Sequence, residues 1–316
     1  MTRPFRFGVQ ISNLPAEGWA DRVRRIEALG YSTLFCPDHF GPQWDPTALL
    51  AAAAAATTRL RVGALVFDVD YRHPVVYAKQ AATLQLLSGG RHEFGIGAGW
   101  MKSDYDEAGI AYERPGVRIE RLEEALRIVR AMWSQEKTSF SGKHYTVREI
   151  ARAVEPVPAT PPPILIGGGG PRVLRLAGRH ADIVGINPTL VEGRVTPQTA
   201  ADLAPERMAE KVRAVREGAE AAGRRFEDIE LNSLTFVTAI VDDPRGLRRA
   251  LAGNTGMSEE QIADCPLFLT GPAREIQDRL QRRREALGIS YVVIQGREMA
   301  QVEQFAEAVV APLAGR

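Results

Sequence analysis

Cysteine is nearly missing from this chain of 316 residues, which carries only Cys36 and Cys265. Two cysteines cannot make a disulfide framework, and neither belongs to a CxxC pair, so a reduced compartment is expected. Net charge is missing too: 40 Lys and Arg stand against 39 Asp and Glu, for a formal +1. With both signs mixed along the chain there is no electrostatic footprint for nucleic acid or an anionic membrane. Long hydrophobic runs are absent, because the longest, Ala48 to Ala56, is far short of the roughly 20 residues that span a bilayer. Met1 to Gln10 is a short basic lead without an apolar signal segment, and the expectation is a soluble, cytoplasmic protein. Histidine is scarce: His39, His73, His92, His144 and His180 show no HxH or HExxH spacing, so no metal site is expected. A GxSxG elbow is also lacking.

What the chain does have is rhythm. Short β-rich runs alternate with longer helical patterns, the signature of βα units and a parallel sheet. Strands are expected at Phe5–Ile11, Ser32–Cys36, Leu60–Phe67, Arg91–Ile96, Ile164–Ile166, Ala181–Ile186, Ile229–Val241 and Tyr291–Ile294. Between them, Gly116–Trp133 places Ile119, Leu122, Ala125, Leu126, Val129 and Met132 at helical spacing. Pro46 and Pro74 open helices, while Gly30 and Gly89-Gly90 close them. Eight strand–helix units predict an α/β fold, a (β/α)8 TIM barrel with insertions in the loops at its C-terminal face. One domain over 1–316 is expected, with an irregular insertion at about 138–163. The competing open doubly wound sheet lacks support, since Ser12-Asn13-Leu14-Pro15 rather than GxGxxG follows the first strand.

In a barrel the site is built where strands end at the C-terminal face, and the unusual residues fall there. Asp38 and His39 follow strand two. Imidazole titrates near neutrality and can exchange a proton with a reacting group; alternatively, Asp38 caps the loop and His39 packs on the rim. Gly167-Gly168-Gly169-Gly170-Pro171 follows strand five. Such a run lets backbone approach a ligand and leaves free amides at a helix start for an anion such as phosphate; a tight strand-to-helix turn is the plainer reading. Gly95, Gly97 and Gly99 alternate in and after strand four, leaving room in the barrel centre, or packing around a large neighbour. Trp100 comes next, able to wall a flat aromatic ligand.

Taken together, Pro37-Asp38-His39-Phe40, Thr58 to Gly63, Arg72-His73-Pro74, Leu87 to Arg91, Gly95 to Trp100, Ile166 to Pro171, Leu176-Ala177-Gly178, Ala181-Asp182 and Leu287-Gly288 make a pattern in order and spacing. It resembles the luciferase-like monooxygenase superfamily, in its coenzyme F420-dependent oxidoreductase branch, from Phe5 to about Ala311. The resemblance implies a barrel, usually a homodimer, that holds a flavin or deazaflavin at its C-terminal mouth. It implies a bulge in strand three with a non-prolyl cis peptide near Leu65-Val66. Asp38 and the segment Leu65, Val66 and Asp68 would then contact the cofactor ring, beside Gly97. Gly168, Gly169, Gly170 and Asn187 would hold its side chain or phosphate. His39 is the implied catalytic proton donor or acceptor, and Trp100 a wall of the substrate pocket. One departure stands out: sugar-phosphate dehydrogenases similar to this chain carry a catalytic Glu where it has Trp100. An apolar, aromatic-walled site for a small organic molecule, reduced as an unsaturated or imine-like substrate, is therefore expected. The cofactor is coenzyme F420, with FMN as the alternative in a monooxygenase fed with reduced flavin by a separate reductase. A barrel that binds a flavin-like ligand without turnover is the non-enzymatic alternative.

Overall fold

A computed structural model describes residues 3–12, 15–155, 160–189 and 196–316. Asn13 and Leu14, residues 156–159 of the expected insertion and residues 190–195 lie outside the described residues.

The β-branched and apolar runs form eight parallel strands: Arg6–Gln10, Thr33–Cys36, Arg61–Ala64, His92–Gly97, Ile164–Gly168, Ile183–Ile186, Glu230–Thr235 and Ile289–Gln295. Each pairs with its neighbours in sequence, the eighth closes on the first through Arg6–Gln10 against Tyr291–Gln295, and the third pairs with the fourth. The result is a closed (β/α)8 barrel. Side chains alternate inward and outward along each strand. Phe35, Leu65, Leu165, Ile183, Tyr291 and Val293 fill a separate buried cluster, while the larger apolar core takes in Val62, Val184, Val292 and Ile294 together with the helices.

The interior has a charged floor at the N-terminal strand ends. Arg6 donates to Glu93 (2.6 Å) and Glu230 (2.5 Å), Arg61 donates to Glu93 (2.8 Å), and Tyr291 O–H donates to Glu93 (3.0 Å). Burial alone would raise the Glu93 carboxyl, but Arg6 and Arg61 hold it below its ordinary range. The Arg6 guanidinium also lies 3.6 Å from the Tyr291 ring centre.

The bulge and the cis Leu65-Val66 peptide expected in strand three are present: the strand stops at Ala64 and resumes at Phe67–Asp68 against Ile96 and Gly97. Two other expectations need correction. Strand seven ends at Thr235; Val237–Ile240 turns away to pair with Phe268–Gly271, a strand that apolar patterning over only four residues did not announce. The 138–163 insertion is not irregular throughout, since Lys137–Ser141 and Thr146–Ala151 form an antiparallel hairpin. Nor does it leave from a C-terminal loop. It follows the helix Pro115–Ser134 and climbs that helix, so that its turn reaches the mouth, where Tyr145 meets His73 edge to face at 5.5 Å. Glu124 secures the turn by accepting the N–H groups of Lys143, His144 and Tyr145 at 2.8–3.0 Å.

Candidate active site

The loops after strands two, three and four meet over one quadrant of the mouth. Gln10 donates to the Leu65 carbonyl at 2.7 Å, and Leu65 N–H donates to the Cys36 carbonyl at 3.0 Å, so the bulge is held from strands one and two. Val66 is half-buried and packs toward the interior cluster. A Cβ on Gly97 would lie 2.8 Å from the Val66 methyl, so the space left by that glycine is taken by Val66. Gly97 is thus closely packed against Val66.

Asp38 is buried and fully occupied. It accepts both terminal nitrogens of Arg72, at 2.7 and 3.1 Å, and the Asp68 N–H at 3.1 Å. A two-point guanidinium–carboxylate pair fixes orientation as well as charge, and here it pins the segment that follows the bulge. Asp68 is buried beneath Gly99. Its carboxyl accepts from Tyr105 O–H (2.8 and 2.9 Å) and from Asp70 N–H (3.0 Å), and Tyr77 O–H donates to its carbonyl. Burial pushes the Asp68 carboxyl up to about 7, helped by the charges of Asp70 and Asp38. Gly99 has φ +71°, and a side chain there would run into the Tyr105 hydroxyl and the Asp68 carboxyl. Glycine is the residue that meets both demands.

His39 stands at the edge of this network. Its Nδ1 lies 2.6 Å from Asp104 Oδ2, and its ring meets Trp100 edge to face at 5.5 Å. Tyr71 O–H donates to the same Asp104 oxygen at 3.0 Å, and Phe40 stacks on Tyr71 at 4.2 Å. Trp100 is half-buried, with Tyr112 O–H donating to its carbonyl at 3.1 Å. Histidine, tryptophan and tyrosine thus share one aromatic wall.

The glycine run lies across the mouth, at the start of the helix Pro171–His180. Gly168 packs against Val173, and Gly169 against the Pro188–Thr189 backbone, with no room for a side chain at either. Gly170 caps the helix with open space around its Cβ position. Asn187 N–H donates to the Gly168 carbonyl at 3.0 Å, and its side-chain amide lies beside Gly167. Nearby cations are engaged elsewhere: Lys211 with Asp202 and the Gly169 carbonyl, Arg172 with Glu120.

Sequence reasoning missed Asp104, Tyr105 and Gln10. Asp104 and Tyr105 ride on a seven-residue helix, Lys102–Ala108, directly after Trp100. Their signal was proximity to the strand-four glycines, where polar residues reach the mouth. Among the described residues no group of three His, Cys, Asp or Glu side chains is arranged to hold a metal, and no helix is long and apolar enough to cross a membrane.

Residues 4–314 match the family model described as luciferase-like monooxygenase. The chain belongs to that family. A relative from Nakamurella multipartita named F420-dependent glucose-6-phosphate dehydrogenase is 33% identical over 243 residues, covering 72% of this chain and 66% of the relative. One of the same name from Intrasporangium calvum is 29% identical over 334 residues, with 93% and 94% coverage. The alignments thus range from just under two thirds of the relative's length to nearly all of it. Among solved structures, an F420-dependent secondary alcohol dehydrogenase in complex with an F420-acetone adduct aligns with TM-score 0.81 at 20% identity, over 98% of this chain and 99% of that one. That likeness shows the luciferase-like barrel fold.

Proposed function

We propose that this luciferase-like barrel is a coenzyme F420-dependent oxidoreductase acting on a small organic substrate. The observation that carries the reading is the convergence at one mouth of the strand-three bulge, the His39–Trp100 wall and the open Gly170 turn. The names of the Nakamurella and Intrasporangium relatives support the cofactor. The residues fit a flat heterocycle with an anionic side chain: bulge backbone and the Val66 side chain for the ring, and free amides at a helix start for the anion.

When bound, the deazaflavin supplies or accepts a hydride at C5. The chain's own work is positioning and proton transfer. Gln10 and Asp38 hold the Leu65–Asp68 segment from below, so that its backbone presents a fixed surface to the ring. Gly168, Gly169, Gly170 and Asn187 shape the seat of the side chain. His39 gives or takes the proton that matches the hydride, a role worth about 10²–10⁴ in rate for a positioned acid or base. Trp100 stands where sugar-phosphate dehydrogenases resembling this chain place a carboxylate. The relatives' sugar phosphate is accordingly not carried over, and an unsaturated or imine-like acceptor between Trp100 and His39 suits the wall better.

Titration of the purified protein with F420 and with FMN, each oxidised and reduced, tests the reading. Micromolar or tighter F420 binding, with FMN much weaker, is expected. Preference for reduced FMN would favour a monooxygenase served by a separate reductase, the reading that the family's name supports, and binding of neither would sink both.

The partner expected from the resemblance is a second copy of the chain. Support comes from the helices Pro46–Ala56 and Pro74–Leu87, which carry Ala48, Ala52, Ala55, Val76 and Leu87 outward, with Leu87 71% exposed.

A further inference from the structure

A neutral imidazole carries one N–H, and the partner of each ring nitrogen decides which one holds it. His39 Nδ1 faces Asp104 Oδ2 at 2.6 Å. That oxygen also accepts from Tyr71 O–H at 3.0 Å. A carboxylate only accepts, so the ring nitrogen that faces it, Nδ1, is the donor. The Asp104 side chain is only 6% exposed, whereas His39 keeps 16% exposure, and its Nε2 has no protein partner among the described residues. Trp100 meets the imidazole at an interplanar angle of 85°, which limits its rotation. Three separate loops, after strands two, three and four, supply His39, Tyr71 and Asp104, so the arrangement is tertiary rather than local.

We propose that Asp104 is a positioning residue that fixes His39 in the Nδ1–H tautomer, leaving Nε2 as the atom that exchanges a proton with the substrate. This rests on the hydride-transfer reading above. In the reducing direction, the imidazolium gives its Nε2 proton to the substrate atom that becomes anionic as the hydride arrives. The N–H bond breaks as the new bond to substrate forms, and neutral imidazole is left with its proton on Nδ1, to be recharged from water. In the oxidising direction, the Nε2 lone pair takes the proton. The Asp104 carboxylate faces Nδ1 and balances the imidazolium charge. Tyr71 holds Asp104 in turn. In a Ser-His-Asp triad, the corresponding acid-to-amide change costs about 10⁴-fold through the wrong tautomer.

The test is ¹⁵N NMR of histidine-labelled, cofactor-free protein at about pH 8.5, where an ordinary imidazole is neutral. The His39 signal is assigned by its loss in His39→Gln. The wild-type ring is expected to show a protonated Nδ1 and a bare Nε2, Asp104→Asn to shift toward the other tautomer, and Tyr71→Phe to keep the wild-type one. With F420 and a reducible substrate, Asp104→Asn should lower kcat about 10²-fold or more, with cofactor Kd within about twofold. Any other state of the wild-type ring, or an unchanged ring and kcat in Asp104→Asn, overturns the assignment. If Asp104→Asn does not fold, the wild-type spectrum decides alone. Because the spectrum needs no turnover, failure to bind F420 would remove the cofactor reading and leave the tautomer result standing.

Discussion

Asp68 is well supplied with hydrogen bonds, yet its burial makes the carboxyl costly to ionise. Burial, with Asp70 and Asp38 adding like charge, pushes its carboxyl up to about 7. Between about pH 4 and 7 the folded state keeps a proton that the unfolded state has released, so this group's contribution to stability falls as pH rises through that window. Asp68→Asn removes the dependence. From about pH 5 to about pH 8, urea unfolding should show wild type losing roughly 2–3 kcal/mol relative to the variant. A difference constant with pH would remove Asp68 as its source. The two cysteines behave oppositely to a reactive pair. Burial pushes the Cys36 thiol up to about 12 and Cys265 to about 11, so neither offers a thiolate.

Among the elements, the hairpin Lys137–Ala151 shows how one side chain can hold a turn against the mouth. Glu124 takes three consecutive N–H groups there, as Glu27 does with Thr58, Arg59 and Leu60 before strand three. Glu124→Ala should leave the barrel folded and raise amide exchange at 142–145 by about tenfold or more, the loss of one net charge-assisted bond or so. Unchanged protection at these amides would show that Phe140, Tyr145 and Val147 hold the hairpin by packing alone. The hairpin escaped the sequence reading because Lys137–Ser141 and Thr146–Ala151 bury few residues and alternate only weakly. Strand alternation is legible where one face is deeply buried. The long helix Pro115–Ser134 was legible for that reason, with Leu122, Ala125, Leu126, Val129 and Met132 all buried.

Across the whole molecule, closure of the barrel brings Arg6, Arg61, Glu93, Glu230 and Tyr291 together from five strands. Removing one partner of a buried pair leaves the other charge uncompensated, at about 3–5 kcal/mol. Arg6→Ala should lose stability on that scale, measured by denaturant midpoint, without weakening cofactor binding at the opposite end. A loss below about 1 kcal/mol would mean that Arg61 alone satisfies Glu93. Assembly belongs to the same scale. Sedimentation should find wild type dimeric and a variant with both Ala52→Glu and Leu87→Glu monomeric; a dimer in both would place the interface elsewhere.

The sequence by itself determined the barrel, the order of its strands, and the bulge near Leu65-Val66, because periodicity, turn residues and family motifs are written locally. It also marked His39, Trp100 and the glycine run as residents of the mouth. Only the tertiary structure decided what those residues touch. Asp38 turns to Arg72 and Asp68 rather than outward, Gly97 yields its space to Val66, and Asp104 reaches His39 across 65 positions of chain. No local pattern encodes such pairings, since each depends on how far the closed barrel turns one loop toward the next.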